Sequence, residues 1–176
     1  EIPRQFINIG VAEQNMVTVA AGLALSGKTV FIYAIIPFIT LRCYEHLKVN
    51  ICSMNLPVTI VGCGAGLSFG NDGPTHHAVN DIAVMRTLPE LTIFNPSDSN
   101  SASASAELSF QSKKPVYVRI DKGGFNQVYG KNDDFDCGLK ILKPLGEINI
   151  ISSGFMTHRA CLAADNLAQK GVEVGV

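Results

Sequence analysis

Short, nearly continuous runs of apolar and β-branched residues recur along the chain, and longer stretches of helical character separate them. Continuous apolar character is typical of parallel strands that are covered on both faces. The pattern predicts strands over residues 6–10, 29–35, 57–63, 91–94, 116–120, 148–152 and 172–176. It predicts helices over residues 13–26, 38–54, 79–87, 98–111 and 157–170. Strands and helices that alternate in this way indicate an α/β protein with a mostly parallel sheet.

The pattern breaks over residues 122–146, where glycines and the polar run 131–136 predict a linker. We therefore predict a first domain over residues 1–121 and the beginning of a second α/β domain over residues 147–176. The chain opens without an initiator Met and closes inside a predicted strand. We expect from both ends that it is part of a longer polypeptide and that the first domain is truncated at its N-terminus.

The helix predicted over residues 98–111 carries two further signals. Ser97 or Asp98, which follow Pro96, are of the residue types that cap helix N-termini. The alternation of Ser and Ala over residues 101–106 is typical of a solvated helix. We therefore expect this helix to begin at a polar cap and to face water.

The composition argues against several classes of protein. Hydrophobic residues make up 47% of the 176 residues and charged residues 16%, which favours a folded core over disorder. The formal net charge of -1 lacks a basic excess, so we expect no nucleic-acid partner. The five cysteines include no Cys-x-x-Cys pair, so we predict neither a disulfide framework nor a zinc site. A reducing location, the cytoplasm, is the simplest expectation for such cysteines. No apolar run approaches the roughly 18 to 20 residues of a membrane helix, so we expect no membrane span.

The first candidate for chemistry is the segment from Gly10 to Met16, which follows a predicted strand. It places Glu13 at a strand-to-helix junction, where open α/β sheets bind their ligands. From its position alone, Glu13 is more readily explained as an acid that favours the positive end of a helix. The position therefore leaves both interpretations open.

The second candidate is the glycine-rich stretch over residues 62–73, which leads into Asp72-Gly73-Pro74-Thr75-His76-His77. It lacks the Gly-Lys-Ser/Thr ending of a phosphate-binding loop, and Asp72-Gly73-Pro74 could be only a turn. His76 and His77 are adjacent, so their side chains diverge, and no third ligand stands at a recognisable spacing. We therefore predict no metal site here, but a polar or proton-transferring histidine. Phe38, after the second predicted strand, is by default a core residue.

Taken together and in this order, these segments resemble the pyrimidine-binding domain of transketolases and of 1-deoxyxylulose-5-phosphate synthases. The matching stretches are residues 6–16, 72–76 and 95–98, with Arg119 at the end of a predicted strand. The resemblance implies a three-layer thiamine-diphosphate-binding fold with a mostly parallel sheet. It makes residues 1–121 the pyrimidine-binding domain and residues 147–176 the start of the family's C-terminal domain.

The resemblance also implies a role for each candidate residue. Glu13 would hydrogen-bond, in its protonated form, the ring nitrogen of the cofactor's aminopyrimidine and so activate thiazolium C2 for attack on a ketose. Phe38 would line the pyrimidine pocket. Asp72 and His76 would face the substrate as hydrogen-bonding and proton-transferring groups, and Arg119 would bind a substrate phosphate.

Thiamine diphosphate is the cofactor that the resemblance implies, together with Mg²⁺ held by a diphosphate-binding domain. The sequence contains no Gly-Asp-Gly motif of such a domain. We therefore expect the site to be completed by a diphosphate-binding domain or subunit, in a homodimer or heterotetramer that acts on small sugars. The fragment alone is not expected to catalyse.

Three positions depart from the family pattern. Ile35 occupies a position where many relatives have a pocket phenylalanine, Gly64 one where many have a substrate-facing histidine, and Asn71 one where an acidic residue is frequent. The leading hypothesis is ketol transfer in a transketolase-like enzyme. Its alternatives are a 1-deoxyxylulose-5-phosphate synthase, the β subunit of a 2-oxoacid dehydrogenase, and a non-catalytic binding or assembly module. A generic nucleotide-binding domain fits poorly, because Val11-Ala12-Glu13 does not suit a phosphate loop.

Overall fold

The structure is a computed structural model that describes residues 3–135 and 137–176. Glu1, Ile2 and Asp136, the last residue of the predicted polar run, lie outside the described residues. The strands are β1 (Val30–Ile35), β2 (Val58–Cys63), β3 (Thr92–Phe94) and β4 (Val116–Ile120). They form a parallel sheet in the order β1-β2-β4-β3. The predicted α/β class is confirmed, and each of these strands lies within the range predicted for it.

The α-helices are α1 (Glu13–Leu25), α2 (Ile36–Ile39), α3 (Tyr44–His46), α4 (Asp81–Met85), α5 (Ser99–Gln111) and α6 (Met156–Ala168). Four of them, α1, α4, α5 and α6, agree with predicted helices to within two residues at each end. The helix predicted over residues 38–54 is divided into α2, a turn, α3 and a π-helical segment, Leu47–Cys52. Within the described part of the chain, none of these helices has the length and apolar character needed to cross a bilayer.

Three predicted strands are wrong. Residues 6–10 form no strand, because the Asn8 side chain accepts a hydrogen bond from the Gly10 amide (2.8 Å) and Gly10 has a φ of +76°. That left-handed conformation suits a turn and not a strand. Residues 148–152 and 172–176 meet only at a single parallel bridge between Asn149 and Gly175.

Helices cover the sheet on both faces. On one face, α1 and the segment from α2 to the π-helix enclose a buried apolar core with β1 and β2. The residues of this core include Val17, Ile39, Leu47, Ile60 and Tyr117. Thr59, Val116 and Val118, whose side chains alternate along the strands with those of Ile60 and Tyr117, are also buried, on the other face of the sheet. On this face, α5 packs against β4. The result is the helix–sheet–helix arrangement expected for strands that are apolar on both faces.

The serines of α5 contradict the prediction of a solvated helix. Ser101, Ser105 and Ser109 are buried. The Ser105 hydroxyl donates to the Ser101 carbonyl (2.7 Å), and the Ser109 hydroxyl donates to the Ser105 carbonyl (2.6 Å). Because these bonds satisfy the hydroxyls inside the helix, the small polar residues can be buried without an external partner.

Asp98 caps α5, as one of the two predicted alternatives, and also holds the linker. Its carboxylate accepts from the Ser101 amide (2.8 Å) and from the amides of Val128 (2.8 Å) and Tyr129 (2.9 Å). Burial by itself would raise the pKa of Asp98, but the backbone donors at Ser101, Tyr129 and Val128 hold it below its ordinary value. One side chain therefore joins the start of α5 to the segment after β4.

Residues after the linker form a smaller apolar cluster of their own. Ala160 and Ala164 of α6 pack with Val174 and Val176. This cluster touches the sheet edge through polar groups, since the Asn95 carbonyl accepts from the Gly154 amide (3.1 Å). No helix or strand lies in the described part of residues 122–146. The division into two domains at this linker stays a prediction.

Candidate functional site

Most of the candidate residues lie at the carboxyl edge of the parallel sheet. Phe38 follows β1, the loop with Asp72 and His76 follows β2, and Arg119 stands near the end of β4. Glu13 begins α1, which runs back toward the start of β1 and so brings its first turn to the same edge. This edge is where open α/β sheets bind ligands, because successive loops converge there.

Glu13 is paired with an arginine that the sequence analysis did not single out. Arg42 Nη1 lies 2.8 Å from Glu13 Oε2, and the Glu13 side chain is only 12% exposed while that of Arg42 is 43% exposed. The Arg42 guanidinium also stands over the Phe38 ring, 4.2 Å from its centroid. Arg42 therefore contacts both residues that the resemblance assigned to the pyrimidine.

The turn that carries Phe38 and Arg42 is held by two further residues. The Cys43 thiol donates to the Phe38 carbonyl (3.2 Å), and the Gln14 amide donates to the Arg42 carbonyl (3.0 Å). Burial, with a smaller contribution from the nearby charge of Glu13, raises the pKa of Cys43 to about 11. Cys43 therefore remains a thiol at neutral pH and can donate this hydrogen bond.

The site continues from Phe38 to the glycine-rich loop. The His76 ring meets the Phe38 ring edge-on at 5.0 Å and is tilted against the Phe69 ring at 5.8 Å. Lys122 Nζ stands over the Phe69 ring, 4.4 Å from its centroid. We call the six side chains that follow one another in this way the site row. They are Glu13, Arg42, Phe38, His76, Phe69 and Lys122.

Two of the predicted residues lie beside the site row and are not members of it. Asp72 is exposed and ends the 3₁₀ turn Gly70–Asp72, whose last amide donates to the Phe69 carbonyl (3.0 Å). His77 Nε2 lies 3.4 Å from the Gly70 carbonyl oxygen. The substrate-facing role of Asp72 stays a prediction.

Arg119 lies in a buried network that involves β4 and α4. Its Nε donates to Asp81 Oδ2 (2.8 Å), and its Nη2 donates to the Ala78 carbonyl (3.0 Å). The Tyr117 hydroxyl donates to the same Asp81 oxygen (2.7 Å). Burial, and then the charge of Asp81, raise the pKa of Tyr117 well above its ordinary value, so the phenol keeps its proton. A role for Arg119 at a substrate phosphate stays a prediction.

Metal ligation finds no support in the described residues, which contain no group of three or more His, Cys, Asp or Glu side chains able to hold an ion. A cavity of about 1060 Å³ lies away from the site row. It is bounded by β3, the serine face of α5 and residues 134, 135 and 137–140. Exposure varies within the site row, since the Arg42 side chain is 43% exposed and the Glu13 side chain 12% exposed.

The family follows from comparison with known proteins. Residues 1–127 match the family model described as transketolase, pyrimidine binding domain. The chain therefore belongs to the transketolase pyrimidine-binding domain family, and the resemblance inferred from residues 6–16, 72–76 and 95–98 is confirmed.

Relatives of this chain include subunits of transketolases. One of the subunits of the apulose-4-phosphate transketolase of Actinobacillus succinogenes is 35% identical over all of this chain and 57% of its own length. The 6-deoxy-6-sulfo-D-fructose transketolase subunit of a Clostridium species is 32% identical over 98% of this chain and 54% of its own length. A solved split-gene transketolase, in an inactive β4 tetramer, superposes with a TM-score of 0.89 at 33% identity, over 99% of this chain and 56% of that one. The chain thus spans a little over half the length of these relatives and has the transketolase fold.

Proposed function

We propose that this chain is the pyrimidine-binding portion of a thiamine-diphosphate-dependent enzyme that transfers a ketol unit between sugars, as transketolases do. The observation that carries the proposal is the position of the Arg42 guanidinium. This flat group with its N–C–N arrangement is hydrogen-bonded to Glu13 and stacked on Phe38. An aminopyrimidine has the same two features, a flat face for the phenyl ring and ring nitrogens for the carboxyl group. The Glu13–Phe38 pair therefore fits the proposed cofactor.

Arg42 has to leave this position before a pyrimidine can take it. The side chain is 43% exposed, so it can turn outward into water at the cost of one partly exposed ion pair. Glu13 would then hold a proton toward the ring nitrogen, where in the free chain it accepts from Arg42. Phe38 would support the face of the pyrimidine ring. His76, whose ring centroid lies 5.0 Å from that of Phe38, would transfer protons to and from the substrate.

When bound, thiamine diphosphate supplies the nucleophilic carbon and stores the electron pair left after carbon–carbon cleavage. The residues that would hold its diphosphate and Mg²⁺ belong, in this proposal, to a partner subunit or domain. The names of the relatives, which include single subunits of transketolases and a split-gene transketolase, support such a division. We propose a homodimer or heterotetramer that acts in the cytoplasm on small sugars.

Reconstitution tests this function. We expect the complete subunit, mixed with its diphosphate-binding partner, thiamine diphosphate and Mg²⁺, to transfer a two-carbon ketol unit from a ketose to an aldose. Either subunit alone should show no transfer. Release of carbon dioxide from pyruvate with an aldehyde acceptor would instead support a 1-deoxyxylulose-5-phosphate synthase, and decarboxylation of longer 2-oxoacids a dehydrogenase β subunit. Cofactor binding without any of these reactions would support a non-catalytic module.

Replacement of Arg42 by alanine is expected to tighten the binding of thiamine diphosphate to the assembled protein about threefold to fivefold. The ion pair that opposes binding is worth about 1 kcal/mol or less at this exposure, and 1.4 kcal/mol corresponds to a factor of ten. Titration followed by intrinsic fluorescence or calorimetry measures the affinity. Arg159→Ala, which removes an exposed arginine over the Phe155 ring at 5.2 Å, is the matched control and should have no effect. Weaker binding in the Arg42 variant would show instead that Arg42 positions Glu13 for the cofactor.

A further inference from the structure

The far end of the site row is closed by an aromatic ring that covers a glycine. Gly64, which follows β2, has a φ of +89°, and its amide donates to the Ile120 carbonyl (2.8 Å). A β-carbon built at Gly64 would overlap the Phe69 ring. The ring therefore occupies the volume that any side chain at position 64 would need, so an apolar surface stands where the family pattern led us to expect a polar side chain.

Three neighbours restrict the position of the Phe69 ring. Gly64 supports one part of the ring, His76 packs against it at 5.8 Å, and the Lys122 ammonium stands over its face at 4.4 Å. The adjacent Ser68 hydroxyl lies within hydrogen-bonding distance of two acceptors, the Ala65 carbonyl (2.6 Å) and the Asp121 carboxylate, which share its one proton. The loop that carries Phe69 is thus joined to the residue that follows β4, and a rotation of the ring would break its contacts with His76 and Lys122.

We infer that Phe69 is a specificity-determining residue that limits the length of the sugar chain accepted by the enzyme. The inference rests on the proposed function, which places the cofactor at the Glu13 end of the site row. A substrate that reacts beside His76 then extends its remaining carbons toward Phe69, the next member of the row. The ring stops that extension by its volume, and it offers no hydrogen-bond partner to a hydroxyl group pressed against it.

The size of the acceptor preference can be estimated from the cost of placing extra atoms in a pocket that does not fit them. One additional carbon that a pocket cannot accommodate costs a factor of about 10 to 200 in kcat/KM. A buried hydroxyl without a partner adds to this cost. Phe69 should therefore favour a two-carbon over a four-carbon aldehyde acceptor, and a smaller residue at this position should reduce the preference.

The experiment uses the assembled enzyme with hydroxypyruvate as the ketol donor and glycolaldehyde or D-erythrose as the acceptor. Neither acceptor is phosphorylated, so the charge of Lys122 does not decide the result. We expect Phe69→Val to raise the ratio of kcat/KM for erythrose over glycolaldehyde about tenfold or more. Phe110→Val, at an exposed phenylalanine of α5, is the matched control and should leave the ratio unchanged.

Phe69→Tyr keeps the packing and adds a group at the ring edge, so it should lower the ratio or leave it at the wild-type value. It also tests the inference if the valine variant does not fold. Equal ratios in the wild type and Phe69→Val, or a higher ratio in Phe69→Tyr, would overturn the inference while the proposed function stands. No transfer by the wild type to either acceptor, with cofactor bound, would overturn the proposed function and this inference with it.

Discussion

Replacement of Glu13 by alanine in the assembled enzyme is expected to slow proton exchange at C2 of bound thiamine diphosphate by about 100-fold to 10,000-fold, the range of a well-placed acid or base. The reason is that the proposed activation needs a proton held at the pyrimidine nitrogen, and Glu13 is the acid at the start of α1 beside Phe38. Its 12% exposed side chain is shielded enough from water for this hydrogen bond to be effective.

Glu13→Gln separates binding from activation. The amide can still donate a hydrogen bond to the ring nitrogen, so we expect cofactor affinity within about tenfold of the wild type. It cannot transfer a proton, so C2 exchange should fall nearly as far as in the alanine variant. Deuterium exchange followed by NMR measures the exchange rate, and a binding titration measures the affinity. Glu45→Ala, an exposed acid of the nearby α3, is the matched control, and exchange at the wild-type rate in Glu13→Ala would refute the proposed role.

Asp81→Asn is expected to lower the free energy of unfolding by about 3 to 5 kcal/mol, because it leaves the Arg119 guanidinium largely buried without its counter-charge. The Asp81 side chain is 2% exposed and that of Arg119 14% exposed, so water can solvate little of the unpaired guanidinium charge. The same change weakens the acceptor of the Tyr117 hydroxyl. For a chain of this size, the loss corresponds to a fall in the unfolding midpoint of roughly 10 °C, which thermal denaturation of the assembled protein measures.

The exposed ion pair between Lys114 and Glu90 provides the control for this result. Glu90→Gln should leave the midpoint nearly unchanged, since both side chains of that pair are about half exposed. If Arg119 acts with Asp81, the double variant Asp81→Asn/Arg119→Gln should lose much less than the sum of the single variants. Equal midpoints for Asp81→Asn and Glu90→Gln would contradict the stabilising role. An Arg119→Gln variant with a wild-type midpoint and a raised KM for a phosphorylated acceptor would favour the phosphate role instead.

Several features of the fold could be predicted because their signals are local. The four strands of the sheet are short apolar runs, and each was found within its predicted range. The cap of α5 could also be predicted from the sequence, because Asp98 and Ser101 are three residues apart and form reciprocal hydrogen bonds. In contrast, residues 6–10 have the composition of a strand but no strand pairing in the structure, and composition does not contain that information.

The features that the sequence did not predict depend on how side chains pack in the folded chain. Arg42 lies 29 positions after Glu13, and its pairing with that carboxylate arises only because α1 and the turn after α2 meet at one edge of the sheet. The serines of α5 have the polarity of a solvated face, yet hydroxyl bonds to the preceding turn allow their burial. Nothing in a linear pattern distinguishes a serine satisfied in this way from one that faces water.

By itself, the sequence determined the α/β class, the positions of the four strands of the sheet and the family, and it singled out Glu13 as the acid to examine. Those depend on residue types and spacings within single elements and loops, and on the order of these segments along the chain. The tertiary structure decided which partners the side chains have: Arg42 on Glu13, Asp81 on Arg119, and Phe69 over Gly64. The physical reason is that ion pairs and ring contacts require approach within a few ångströms, and only the packing of the helices and loops against the sheet sets those distances.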